Sequence, residues 1–210
     1  MLVAGFFACG FLLAFVTVYL PQQVVEMGLR PGWGATAIAL VGLFNVIGAY
    51  MAGVWGAKYS KKNLLAWIYG LRIVGVLWLM FAVPISTVLL DPIAAGLTAI
   101  GIPVIGLELN IIGFGAFMGL LWLSTVPLTN GIVGQVFGLQ YMATLYGFVF
   151  FSHQIGSTVG LMLAGIVEST TGSLELMWWA CIAVNAFAVL VHLPIKEKPH
   201  PRLAAQQAAD

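Results

Sequence analysis

Charge is what this sequence has least of. Its 210 residues include 8 Lys and Arg and 7 Asp and Glu, 7% of the chain, where a soluble domain carries about 25%. A chain this short cannot clothe itself in polar groups in water at that composition. Lipid as the solvent removes the difficulty. A net charge of +1 gives no case for nucleic acid as a partner, which needs clustered Lys and Arg on one face. Cysteine is scarce as well. Cys9 and Cys181 both sit inside apolar runs and read as small hydrophobes, silent on redox compartment. The N-terminus lacks the basic stretch of a cleavable signal, so residues 2–20 read as a mature spanning helix. Enzyme signatures are missing too: there is no H-x-x-x-H metal pair, no G-x-S-x-G elbow and no phosphate-binding Gly-Lys-Ser/Thr. We therefore expect no enzyme, no metal, no cofactor and no ATP-driven motor.

What is abundant is apolar sequence, in runs of the length that spans a bilayer, about 20 residues. Six such runs are expected to form an all-α, polytopic helix bundle over residues 1–195: Leu2–Leu20, Ala35–Ala57, Asn63–Val83, Ile111–Asn130, Tyr141–Val167 and Leu176–Leu193. Residues 196–210 read as a solvated tail. The stretch Ile85–Glu108 is apolar but short, bounded by Asp91 and Glu108 and interrupted by Pro103. Charge decides its placement, because Lys and Arg favour the cytoplasmic side. With six crossings, Lys58, Lys61 and Lys62 share a side with Lys196, Lys198 and Arg202. Glu26, Asp91, Glu108, Glu168 and Glu175 then share the other. Residues 85–108 are accordingly expected as an outer interfacial or re-entrant insertion, with both termini cytoplasmic in a cell membrane.

Two stripes of small residues recur at every fourth position: Gly48, Ala52 and Gly56, then Ser152, Gly156, Gly160 and Ala164. That spacing lets helix backbones approach closely. Trp33, Trp178 and Trp179 are read as interfacial anchors.

Polar side chains inside spans are expensive and point to function. Arg72 follows Lys62 by ten residues, about 15 Å of helix, which places it near the bilayer midplane. It reads either as an anion-binding group or as a structural Arg held by backbone carbonyls. His153 lies about 18 Å of helix beyond Tyr141, between Ser152 and Gln154. It reads as a solute contact or proton carrier, or as a neutral interhelical donor. Asn45 reads as a helix cross-link or a solute contact. Ser124 and Thr125, just before Pro127, read as cavity hydroxyls or as groups that satisfy freed backbone.

Some of these residues are also familiar. The run Gly53-Val-Trp-Gly56-Ala-Lys58-Tyr-Ser-Lys61-Lys62 resembles the cytoplasmic loop motif of the major facilitator superfamily, without its Asp and second Gly. Gly42-Leu-Phe-Asn45, Gly119-Leu-Leu-Trp-Leu-Ser-Thr-Val-Pro127 and Phe151-Ser-His-Gln-Ile-Gly156 are similar to a bacterial, monocarboxylate-transporter-like branch. Leu12, Tyr19 and Gln140 stand where that branch often has His, His and Arg. The resemblance covers the C-terminal six-helix half of a twelve-helix protein. It implies alternating access around a midplane site. The first and fourth crossings would line the cavity, the second and fifth would flank it, and the third would be peripheral, favouring His153 and Asn45 over Arg72. We expect transport of a small organic anion such as a monocarboxylate, coupled to a proton, in a bacterial inner membrane. We expect a second six-helix half as partner, from another chain or a second copy. The alternative is a non-transporting scaffold or a truncated, inactive fragment.

Overall fold

Long apolar runs have one way to satisfy their backbone in lipid, which is to hydrogen-bond within themselves as helices. The computed structural model describes residues 1–199, and those residues form helices and no strand. Seven helices are long and apolar enough to cross a membrane by length and composition: α1 (Leu2–Glu26), α2 (Gly32–Lys58), α3 (Lys61–Met80), α4 (Ala82–Ala99), α5 (Gly106–Phe137), α6 (Met142–Thr171) and α7 (Glu175–His192). The fold is all-α, and the chain is a membrane protein by this measure. The expected six become seven among the described residues because Ile85–Glu108, expected as an outer interfacial or re-entrant insertion, overlaps a helix long enough to count. That helix is α4, whose middle winds into a π-helical stretch at Ser86–Leu90.

Neighbour relations decide which helices run the full depth of the bundle. Along α2 and α5, Ala37 lies beside Gly115 and Val41 beside Gly119. Further on, Asn45 is bonded to Leu123, and Gly56 lies beside Leu128. These two helices therefore run parallel. A chain that goes down α2 and up α3 must next go down, and α5 does so. Had α4 returned along α3, α5 would run the other way. Instead α4 continues past the end of α3. Asn110 donates to the Ala82 carbonyl, Gly106 N–H donates to Asp91 Oδ1, and Thr98 bonds the Val104 carbonyl. Gly101, at φ 92°, supplies the reversal that an L side chain resists. α4 is thus a protruding hairpin arm at one end, and six helices traverse the bundle.

The traversing helices pair in a pattern with internal symmetry. α1 packs on α6 as α5 packs on α2; α1 packs on α7 as α5 packs on α3; α3 and α7 pack on each other. Exchanging α1–α3 with α5–α7 swaps the members of each of the first two pairings and maps α3–α7 onto itself. The two closest pairings use the glycine stripes. A methyl on Gly48 would strike the Leu120 carbonyl, and one on Gly156 would strike the Phe7 carbonyl. Ser152 and Ser157 add hydrogen bonds from α6 to the Val3 and Gly10 carbonyls of α1.

The ends of the bundle differ in charge. At one, Lys61 Nζ donates to Gln135 Oε1 at 2.9 Å and Lys62 Nζ to the Leu193 carbonyl at 2.9 Å. Arg202 lies outside the described residues, as does the tail from residue 200. At the other end, Gln22 bridges Glu26 and Glu168. Two local expectations need correction. Pro21 does not end α1, which continues through it to Glu26. Trp178 is not an interfacial anchor: it is 3% exposed, edge-on to Phe15, and it donates to Gln23 Oε1 at 2.7 Å.

Candidate functional site

Most of the expected polar residues gather around a break in α5, whereas Asn110 and Asn185 are buried elsewhere. The α5 helix consists of Gly106–Leu121 and Thr125–Phe137, with 122–124 between. Pro127 explains the position. It sits in the first turn of the second segment, where a missing N–H costs nothing. Its ring would clash with the carbonyl four residues back, that of Leu123, in a continuous helix. A break inside an apolar bundle frees backbone groups that need partners. Asn45 Oδ1 of α2 accepts the Leu123 N–H at 2.9 Å. Arg72 of α3 donates through Nη2 to the carbonyls of Leu121 (2.9 Å) and Trp122. Its positive charge meets the negative end of the first segment's dipole. Ser124 Oγ donates back to the Leu120 carbonyl.

Arg72 is fully buried. Its Nη1 reaches Cys9 Sγ of α1 at 3.3 Å, and its guanidinium lies over the Tyr69 ring, 5.1 Å from the centroid. Cys9 also contacts Thr125 Oγ1 at 3.6 Å. Tyr69 donates its hydroxyl to the Gly5 carbonyl at 2.7 Å and stacks on His192 at 5.0 Å. A line of polar and aromatic groups therefore runs from His192 at the Lys-bearing end to Cys9 in the interior.

His153 of α6 closes the cluster from the other side. It lies beside Cys9 and interacts with that thiol, but both ring nitrogens are enclosed with no partner inside hydrogen-bond geometry. The ring stacks on Phe150 at 5.5 Å and faces Phe6 at 6.0 Å. Tyr146, packed edge-on against Phe6, holds its hydroxyl there, also unpartnered. Enclosing an unbonded polar group costs about 1–3 kcal/mol. Arg72, Asn45 and Ser124 are thus committed to the backbone, whereas His153 has bonding capacity to spare.

The remaining expected residues lie elsewhere. Gln154 is exposed on the far face of α6. In the loop motif, Gly56 is buried against Leu128, while Gly53 has open space around it. Lys58 is exposed, and Lys61 and Lys62 tie the loop to α5 and α7. Cys9, Tyr69, Tyr146 and His192 belong to the cluster although sequence reasoning passed over them. Tyr69 carried a usable signal, standing three residues before Arg72 on the same helical face. Cys9 carried none, because a thiol in an apolar run looks like any small hydrophobe.

The chemistry available here is binding and proton exchange. Among the described residues, no three His, Cys, Asp or Glu side chains converge as metal ligands. No family model matches the chain, and no curated protein matches it.

Proposed function

We propose that this chain is one six-crossing half of a secondary transporter of the major facilitator type. It moves a small organic anion by alternating access, with His153 taking up the proton or the solute. The observation that carries this reading is the exchange symmetry of α1–α3 with α5–α7. Inverted repeats of three helices build each half of such transporters, and sites in repeat-built transporters form where helices are discontinuous near the midplane. Here the interrupted helix is α5, and the cluster around its break includes an imidazole with no partner. Arg72 spends both Nη groups on carbonyls and Cys9, and only its buried Nε lacks a partner. In this reading, therefore, a protonated His153 offers the positive charge an anion needs. The distribution of Lys58, Lys61 and Lys62 supports a cytoplasmic assignment for that end in a bacterial inner membrane. A second half, from another chain or a second copy, would complete the cavity.

The test is uptake of labelled organic acids into proteoliposomes holding this chain alone or with a co-expressed six-helix partner. Uptake in either preparation supports the reading; no uptake in both sinks it. A non-transporting scaffold is favoured by one observation, that Arg72, Asn45 and Ser124 all find internal partners. A His153→Phe variant that folds like the parent but loses uptake eliminates it.

A further inference from the structure

A second feature lies apart from the polar cluster. α2 and α3 are joined by Tyr59 and Ser60 alone, yet they diverge beyond the link and pack on α5 rather than along each other. This leaves a groove of about 230 Å³ floored by α5, with Met51, Trp55, Leu64, Trp67, Leu71 and Leu128 among its walls. Its one polar lining residue, Ser124, spends its hydroxyl on the Leu120 carbonyl. Beyond that, only the indole N–H groups of Trp55 and Trp67 offer a polar contact.

Length and charge point to an occupant. The groove's lining runs along α3 from Leu64 to Leu71, about 10 Å of helix, and along α5 from Phe117 to Leu128, about 16 Å, against about 15 Å of hydrocarbon in one leaflet. Its mouth is the Lys-bearing end. The Lys61 stem lies across Gly131 of α5 and against Gly56 of α2, beside the groove residue Leu128. Its ammonium bonds only a neutral amide, that of Gln135. Lys58 is exposed and makes no ion pair among the described residues. The nearby Glu197 carboxylate accepts the Lys62 backbone N–H. Lys58, one turn beyond the lining residue Trp55 on α2, and Lys61 thus flank the Lys-bearing end of an apolar slot, beside Trp67, which is 70% exposed.

We propose that this groove holds an acyl chain of an anionic phospholipid whose phosphate sits between Lys58 and Lys61. The proposal rests on the chain being in a membrane and is independent of what, if anything, it transports.

Brominated lipids quench tryptophan on contact, so the full chain is reconstituted in phosphatidylcholine vesicles containing a few mole per cent of brominated phosphatidylglycerol or brominated phosphatidylcholine. At low salt we expect the anionic lipid to quench at least about fivefold more effectively, the factor that one lysine at the surface supplies. Trp67→Phe should remove much of that quenching. Lys58→Gln with Lys61→Gln should equalise the two lipids. If that double variant fails to fold, salt at about 0.5 M added to the parent protein should equalise them instead. Equal quenching by both lipids in the parent at low salt overturns the proposal. So does quenching by neither lipid together with disulfide-linked dimers of a Trp67→Cys variant, which would assign the groove to a second copy.

Discussion

Arg72 and His153 stand on opposite sides of Cys9 and differ in what their polar atoms do. Arg72 holds two freed carbonyls and a sulfur in a fully buried setting. Replacing it with Gln should therefore cost about 3 kcal/mol, since the carbonyls lose a charged donor. A fall in the unfolding midpoint in mixed detergent micelles would show this. Asn45→Ala should cost less, about 1–2 kcal/mol, for one orphaned N–H. His153→Phe should leave stability within about 1 kcal/mol, because no hydrogen bond is lost and the new ring fits between Phe6 and Phe150. A destabilisation matching that of Arg72→Gln would mean that the imidazole has structural partners, contrary to the geometry described. At this scale the sequence was informative where a polar atom interrupts an apolar run. Arg72, Asn45, Ser124, Thr125 and His153 all stood out that way, and four of them meet at one helix break. What spacing along single helices could not convey is which of them would be used up by the backbone. That depends on a break created by Pro127 and on helices distant in sequence.

Among the elements, the glycines of α6 give a paired test. Gly156 sits where the helix touches the Phe7 backbone, whereas Gly147 on the same helix has open space around it. Gly156→Ala should destabilise by about 1–3 kcal/mol through overpacking. Gly147→Ala should be neutral or should stabilise by up to about 1 kcal/mol through helix propensity. Equal effects, measured by the same unfolding assay, would contradict the close approach of α1 and α6. Both glycine stripes were legible as packing faces from their four-residue period. Helix ends were less so. Pro21 reads as a stop, yet apolar surroundings offer its neighbours no better alternative than continuing the helix, and α1 runs on to Glu26. The helix α4 was set aside for other reasons: Asp91, Glu108 and Pro103 made the stretch look too short to span, whereas the helix begins earlier, at Ala82, and its π stretch breaks the 3.6-residue period.

For the whole molecule, composition pointed to a membrane and the Lys distribution to six crossings. Seven helices among the described residues are long and apolar enough to cross, and the parallel run of α2 and α5 favours six. Single cysteines at Ser60 and Gln140, in a Cys9- and Cys181-free background, should therefore react with an impermeant maleimide from the same side of the membrane. A cysteine at Ser173 should react from the opposite side. If α4 crossed, Ser60 and Gln140 would separate. The exchange symmetry of the two helix triplets was legible only in the small-residue stripes of the equivalent helices α2 and α6, because it resides mainly in which helices touch. It is this symmetry that makes transport the central claim. The decisive measurement is proton-gradient-driven uptake of a labelled organic acid into proteoliposomes, for the parent chain and His153→Phe at matched folded amounts, each with and without a six-helix partner. We expect uptake by the parent in at least one preparation and its loss in His153→Phe. Uptake that survives unchanged in His153→Phe would contradict the role given to the imidazole, and no uptake by the parent in any preparation would contradict transport itself.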